Sequence, residues 1–340
     1  MKPTSVQRNR AVADTSGMTP PRQIHPGQLC FVTARAVNRC HRFAPNRRAL
    51  ELIWYCFALT LSKYRGRVEA HEFLWMSNHY HLVLTDTGGC LPRFMEELNS
   101  LLARAINSLY GIRGTTIEKG YNLVMVATGD KLIEHSVYTL ANPCNAHLVE
   151  HSHHWLGVSS RQLEYGRSIA IKRPNHGLWR SINEPARRQA SQESRRAIFR
   201  GRSKLPEEVK LVLTRPRIKQ ELSDRELRCH IRELLQKRER VLVKQRRAQG
   251  QRVLGWALAT KVSFRTMPEQ SEDLFGMVPT FSAHTNEARI SAWKRRCAFL
   301  EQYYVALRAF LAGDRTALFP AGTWLMRVRF GARCGPLLAG

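Results

Sequence analysis

Two histidines one residue apart stand in Phe73-Leu-Trp-Met-Ser-Asn-His-Tyr-His-Leu-Val-Leu84. A strand sends alternate side chains to opposite faces, so His79 and His81 point the same way and Tyr80 takes the other face. Two imidazoles side by side on a rigid strand make half of a metal site. Two neighbouring histidines with no metal have the same spacing, so the pair alone does not decide. The second observation is Tyr138 with Asn142, four residues apart near the end of a predicted helix and one above the other on one face. If that face packs against the strand near His79 and His81, the Asn142 amide oxygen is a third ligand and Tyr138 sits beside the metal. Without that packing, the two are a core tyrosine and an Asn-Pro helix stop.

Other residues of reactive type fit the pattern less well. Tyr80 lies on the wrong face and reads as structural. His151, His153 and His154 fall in a loop with no matching partner. His71, on the neighbouring strand, is placed to support a metal-bound histidine from behind. Glu69 and Glu72 read as strand-surface residues. Eight cysteines are scattered with no Cys-x-x-Cys pair, which gives no support to a thiolate zinc site or a disulfide framework.

The elements that must position this chemistry follow from pattern. Leu29–Val37 alternates and is rich in β-formers, the first strand. Residues 46–62 form a helix with a broad apolar face. Residues 67–75 are a second strand, and a turn at Ser77-Asn78 leads into the strand of His79 and His81, so the two form a hairpin. Pro92 opens a helix to Tyr110, and residues 121–127 are a fourth strand. Asp130 caps a helix that ends near Asn142-Pro143, because proline disfavours helix in the residue before it. Strand, helix, hairpin, helix, strand is the order of a ferredoxin-like split βαβ, an α+β fold with an antiparallel sheet. Beyond it, residues 205–214 read as a strand, 223–251 as a long basic helix, 292–312 as an amphipathic helix, and 319–330 as a turn followed by a strand. This divides the chain into a basic arm (1–24), a catalytic domain (25–165) and a basic, mainly helical accessory region (166–340).

Charge sets the partner. The chain has 54 Lys+Arg against 27 Asp+Glu, a formal net charge of +27 over 340 residues. Such an excess suits a polyanion, with nucleic acid first and an anionic membrane surface second. Arg35, Arg39 and the run Lys237, Arg238, Arg240, Lys244, Arg246 and Arg247 are the candidate phosphate contacts. No stretch of about 18 uncharged apolar residues exists, so no membrane span is expected. The opening residues lack the apolar core of a secretory signal, and a cytoplasmic protein is the expectation.

Three blocks in the right order carry a family resemblance. Leu74-Trp-Met-Ser-Asn-His-Tyr-His-Leu-Val-Leu84 resembles the Met-Pro-Asn-His-hydrophobic-His block of the single-tyrosine HUH transposases, most of all the REP-associated tyrosine transposases and their insertion-sequence relatives. Val137-Tyr-Thr-Leu-Ala-Asn-Pro-Cys-Asn-Ala-His-Leu-Val149 is similar to that group's Tyr-x-x-x-Asn-Pro-Val block. His154-Trp-Leu-Gly-Val-Ser-Ser160 looks like the Trp-Pro-Trp-Ser-Ser segment that follows it. Ser77, Tyr80, Cys144, Asn145 and Leu156 depart from the pattern, and the loss of an arginine at 145 removes one expected DNA contact.

The resemblance implies a transposase that cuts and rejoins single-stranded DNA at hairpin-flanked sites. His79, His81 and Asn142 would hold a divalent ion, Mg or Mn, and Tyr138 would form a 5′-phosphotyrosine. It also implies a bacterial cytoplasmic or nucleoid location and leaves both monomer and homodimer open. Two other readings stay beside it: a former transposase that binds hairpin DNA without cutting, and a nuclease using water, with Tyr138 in the core.

Overall fold

The computed structural model describes residues 21–176, 205–268 and 281–336. The basic arm up to residue 20 and the basic tract 177–204 lie outside the described residues. From residue 21 the chain is packed: Ile24 is buried, and its N–H donates to the Gly322 carbonyl at 2.9 Å.

The elements run β1 (Gln28–Arg35), α1 (Arg47–Lys63), β2 (Glu69–Trp75), β3 (His79–Asp86), α2 (Leu91–Tyr110), β4 (Asn122–Val126) and α3 (Gly129–Asn145). Then come β5 (Ser168–Lys172), β6 (Glu208–Val212), α4 (Asp224–Ala248), the single turn α5 (Trp256–Ala259), β7 (Phe281–Ser282), α6 (Asn286–Leu311) and α7 (Trp324–Phe330). Local chemistry sets many of the ends. The Asn46 side chain caps α1 by accepting from the Ala49 N–H. Gly111, at φ 65°, closes α2 in the left-handed conformation that a Cβ disfavours. Ser223 and Glu226 form a reciprocal capping box on α4.

The protein is α+β. The main sheet has the order β2-β3-β1-β4-β7, so β1 and β2 flank β3. Its pairs are antiparallel except β4–β7, which is parallel. The sheet is therefore mixed, where an antiparallel one was expected. The cause is β7, a two-residue segment from the C-terminal half that no sequence pattern marks.

Helices cover both faces. On one face, α1 and α2 pack together over Tyr80, Leu82 and Leu84. On the other, α3 lies over β1–β3, with Leu132 buried against Phe31, Val83, Val124 and Val126. The C-terminal segments join the same core: Val209, Leu211, Leu227, Ile231 and Leu235 belong to one buried cluster with Phe73 and Leu82. The β5–β6 ribbon packs on α1, and α4 packs on α3.

Three sequence expectations change. Helix α3 continues to Asn145 with Pro143 inside it, instead of stopping before the proline. Proline in a last turn removes one intrahelical donor, and the Ala146 N–H still closes on the Asn142 carbonyl at 2.9 Å. Residues 324–330 are a helix, not a strand. Their alternating Arg327 and Arg329 imitate a strand, but Met326 is the one buried side chain and Gly331, at φ 61°, supplies a helix C-cap. Finally, β5 appears where no element was expected, because its partner β6 lies far along the chain. All eight cysteines are free, and among the described residues no helix is long and apolar enough to cross a membrane.

Candidate active site

The β1–β3 register sets His79 opposite Arg35 and His81 opposite Thr33. Cross-strand partners share a face, so all four side chains stand on the face that α3 covers. The rings of His79 and His81 lie 4.8 Å apart between centroids. Each is oriented through Nδ1. The Asn78 Oδ1, which can only accept, takes the proton of His79 Nδ1 at 2.7 Å. Thr33 Oγ1 lies 2.9 Å from His81 Nδ1. The Asn142 amide nitrogen lies 3.1 Å from His81 Nε2 and, as a donor, requires that nitrogen to carry a lone pair. These partners place a proton on Nδ1 of His79 and, with the Asn142 amide donating to Nε2, on Nδ1 of His81. Metal-binding histidines are held in this way.

Helix α3 supplies the rest. Asn142 is buried over His81, and one turn earlier the Tyr138 ring meets the His81 ring edge to face, with centroids 5.5 Å apart. Tyr138 is 45% exposed, whereas His81 and Asn142 are almost fully buried. The phenol thus stands at the mouth of the site and the nitrogen and amide groups at its floor. Two imidazole nitrogens and one amide, which can turn its oxygen inward, form a donor set that suits a divalent ion. No group of three His, Cys, Asp or Glu that could hold a metal occurs among the described residues, so a metal at this site would need Asn142 beside the two histidines.

Burial works against a charge on His81. Burial pushes the His81 pKa well below its ordinary value, and His79, Arg35 and His135 add to the shift. His135 was missed in the sequence. It sits on the same helical face as Tyr138 and Asn142, at i, i+3 and i+7. Its ring stacks on Phe31 at 4.5 Å, burial pushes its pKa down to about 4, and its Nε2 has no hydrogen-bond partner among the described residues. Phe31 also touches the His81 and Tyr138 rings, which makes it a shared wall. Thr33 and Asn78 were missed too. The Thr33–His81 register is visible only once β1 is paired with β3.

Several other sequence candidates fall away. Tyr80 is buried on the opposite face, donates to the Asn99 side chain and stacks on Trp75. His71 does not support His79 or His81 from behind. Its Nδ1 is bonded to the Thr214 carbonyl at 2.8 Å and its Nε2 to Thr85 at 2.7 Å. His151 pairs with Glu239 at 3.3 Å, and the three-histidine cluster carries no metal geometry. Glu72 is no surface residue. It is fully buried in an ion pair with Arg228 of α4, which is equally buried.

The basic residues divide. Arg35 lies across from His79, at the rim of the site, and Arg39 follows in a turn with φ 52°. Lys237, Arg238, Arg240 and Lys244 are exposed on α4. Arg246 is buried and paired with Glu150 at 3.1 Å, so it is structural and not a DNA contact. Arg247 is exposed but shares Glu150 at 2.8 Å. The basic run has few acids of its own, yet Glu150 from another part of the chain balances its end.

A recess of about 340 Å³ opens between α3 and α4 beside Tyr138. Arg238 lines it together with Asn145.

No family model matches the chain, and no curated protein matches it. A solved structure described as the REP-associated tyrosine transposase bound to a REP hairpin is similar over 42% of this chain and 82% of that one. The identity is 15% and the TM-score 0.33. The site described above rests on its own geometry.

Proposed function

We propose that the chain is a transposase of the single-tyrosine HUH type that nicks and rejoins single-stranded DNA next to a hairpin. The observation that carries this reading is the placement of Tyr138 and Asn142, one turn apart on α3, over the strand face that bears both histidines. The order β2-β3-β1-β4, with helices after β1 and β3, supports a split βαβ scaffold for it.

His79 Nε2, His81 Nε2 and Asn142 would hold the divalent ion, Mg or Mn. When bound, that ion supplies Lewis-acid stabilisation of charge on the scissile phosphate. Tyr138 supplies the nucleophile. Its phenol oxygen bonds to phosphorus as the P–O3′ bond breaks. The phenol proton passes to solvent, and the departing 3′ oxygen takes one up as a hydroxyl. The product is a 5′-phosphotyrosine, and attack by another 3′-hydroxyl reverses the step without an external energy source. The half-exposed position of Tyr138 lets a strand reach it, while Phe31 and His81 fix one side of its ring. Arg35 and the exposed cations of α4 bind phosphates and give salt-dependent affinity. The location is the cytoplasm, where the DNA is.

The test is a labelled hairpin-flanked single strand incubated with Mg or Mn and run on a denaturing gel. A covalent adduct is expected, lost by three orders of magnitude or more in Tyr138→Phe, about the scale of removing a covalent nucleophile, and lost in His79→Ala. Cleavage that survives Tyr138→Phe would replace this reading with a water-using nuclease. Tight, salt-sensitive binding with no cleavage in any metal would leave a DNA-binding protein.

A further inference from the structure

We infer that the recess between α3 and α4 seats the first nucleotide of the strand held at Tyr138, with Arg238 on the next phosphate along. The inference rests on the phosphotyrosine chemistry proposed above, and it concerns a helix outside the three sequence blocks.

The argument starts from the two sides of the Tyr138 ring. One side is filled: Phe31 and His81 stand edge-on to it at 5.9 and 5.5 Å. The other side opens into the recess, of which Tyr138 is itself a wall. In a 5′-phosphotyrosine the attached sugar and base lie within one nucleotide's reach of the phenol oxygen. The strand must leave on the side with space.

The recess has the right surfaces for that occupant. Its floor is apolar, formed by Val137 and Ala141 from α3 and Leu234 from α4. Such a floor suits a base or sugar face, which binds without strict sequence demand. Its volume of about 340 Å³ is at the small end of ligand sites, which run from roughly 300 to 1,000 Å³. The rim is polar. Arg238 is exposed there, and its planar fork matches phosphate oxygens. The one acid on the rim, Glu134, is already engaged by Lys131, so it does not cancel the guanidinium. Asn145 adds one amide able to donate and accept at a base edge.

The experiment measures binding in EDTA, so that no chemistry intervenes. The probes are three short 5′-phosphorylated single strands: one unmodified, one abasic at the first nucleotide, and one with a neutral methylphosphonate between nucleotides one and two. Wild-type protein should lose about tenfold in affinity for each modified strand, the size of one charge-assisted or stacking contact. Leu234→Trp, which fills the recess at a partly exposed position, should no longer distinguish the abasic strand. Arg238→Gln should no longer distinguish the methylphosphonate, and Arg238→Lys should recover part of that discrimination. A merely structural role would weaken all three strands equally, and that result overturns the inference.

The adduct assay runs in parallel and separates the two readings. Adduct formation without these couplings overturns the recess and leaves the chemistry. Couplings without any adduct support the recess as a strand-end site and overturn the chemistry. Absence of both overturns both.

Discussion

Two polar clusters are built on the same sheet, and they are finished differently. Glu72 on β2 is closed on all sides. Arg228 donates to its carboxylate, Ser160 does the same, and Tyr165 OH lies at 3.2 Å. The other two nitrogens of Arg228 donate to the carbonyls of Leu163 (Nε) and Ser160 (Nη2). The His79–His81–Asn142 cluster stands on the neighbouring strand and α3, and it reaches the surface beside Tyr138. Both Nδ1 atoms have partners, His81 Nε2 lies against the Asn142 amide, and the His81 ring meets a half-exposed tyrosine. Burial of a charge is tolerated when every lone pair and proton has a partner. Among the described residues, the histidine cluster has no such buried counter-charge and ends at an exposed phenol.

The sharpest way to test this contrast is to remove one member from each cluster. Arg228→Met leaves a buried carboxylate without its cation and should cost about 3–5 kcal/mol of folding stability, read by urea denaturation. Tyr138→Phe, at a half-exposed position, should shift stability by less than about 0.5 kcal/mol. Equal losses would erase the distinction.

Acid provides the second test. Burial pushes the His71 pKa from 6.5 down to about 4. Below pH 6.5 the unfolded chain takes up a proton that the folded chain refuses until about pH 4. Stability should therefore be full above pH 6.5 and decline as pH falls to 4, by up to about 3 kcal/mol from this residue. His71→Gln should flatten that part of the profile. An unchanged slope would mean that His71 is not the group responsible.

Much of this was legible before any coordinates. The helix and strand order through residue 145 follows from hydrophobic period, caps and turn residues. His79, His81, Tyr138 and Asn142 stand out by type and spacing. What the sequence could not reveal is what depends on distant pairing. Glu72 and Arg228 are 156 residues apart, and nothing local to either marks it as half of an ion pair. Thr33 became visible only through register. Arg246 looked like the exposed cations beside it, because a helix repeat does not say which turn meets Glu150. Residues 324–330 misled because alternation of arginines and apolar residues fits a strand as well as a short, largely exposed helix.

The third test concerns the back of the histidine cluster. Thr33→Val removes the acceptor for His81 Nδ1 and should lower Mn affinity by about 10–100-fold in a calorimetric titration. Unaltered affinity would separate the orienting bond from metal binding. The smallest effect is expected at the exposed cations. Lys244→Ala should weaken single-strand binding nearly uniformly and reduce the slope of log affinity against log salt by about 0.7. Arg246→Ala should instead lower stability, because Glu150 loses its buried partner.

The rims of the sheet carry a last consequence. Along β2, the Trp75 N–H donates to the Val158 carbonyl, the Ser160 N–H to the Phe73 carbonyl and the Thr214 N–H to the Ala70 carbonyl. At the opposite rim, β7 pairs with Met125 and Val126 of β4. Unpaired strand edges template aggregation, and at these positions both edges are already occupied by the chain's own later segments. Those segments thus act as built-in protection against sheet-to-sheet growth. At those positions a second copy of the chain finds no free backbone of β2 or β4 to extend.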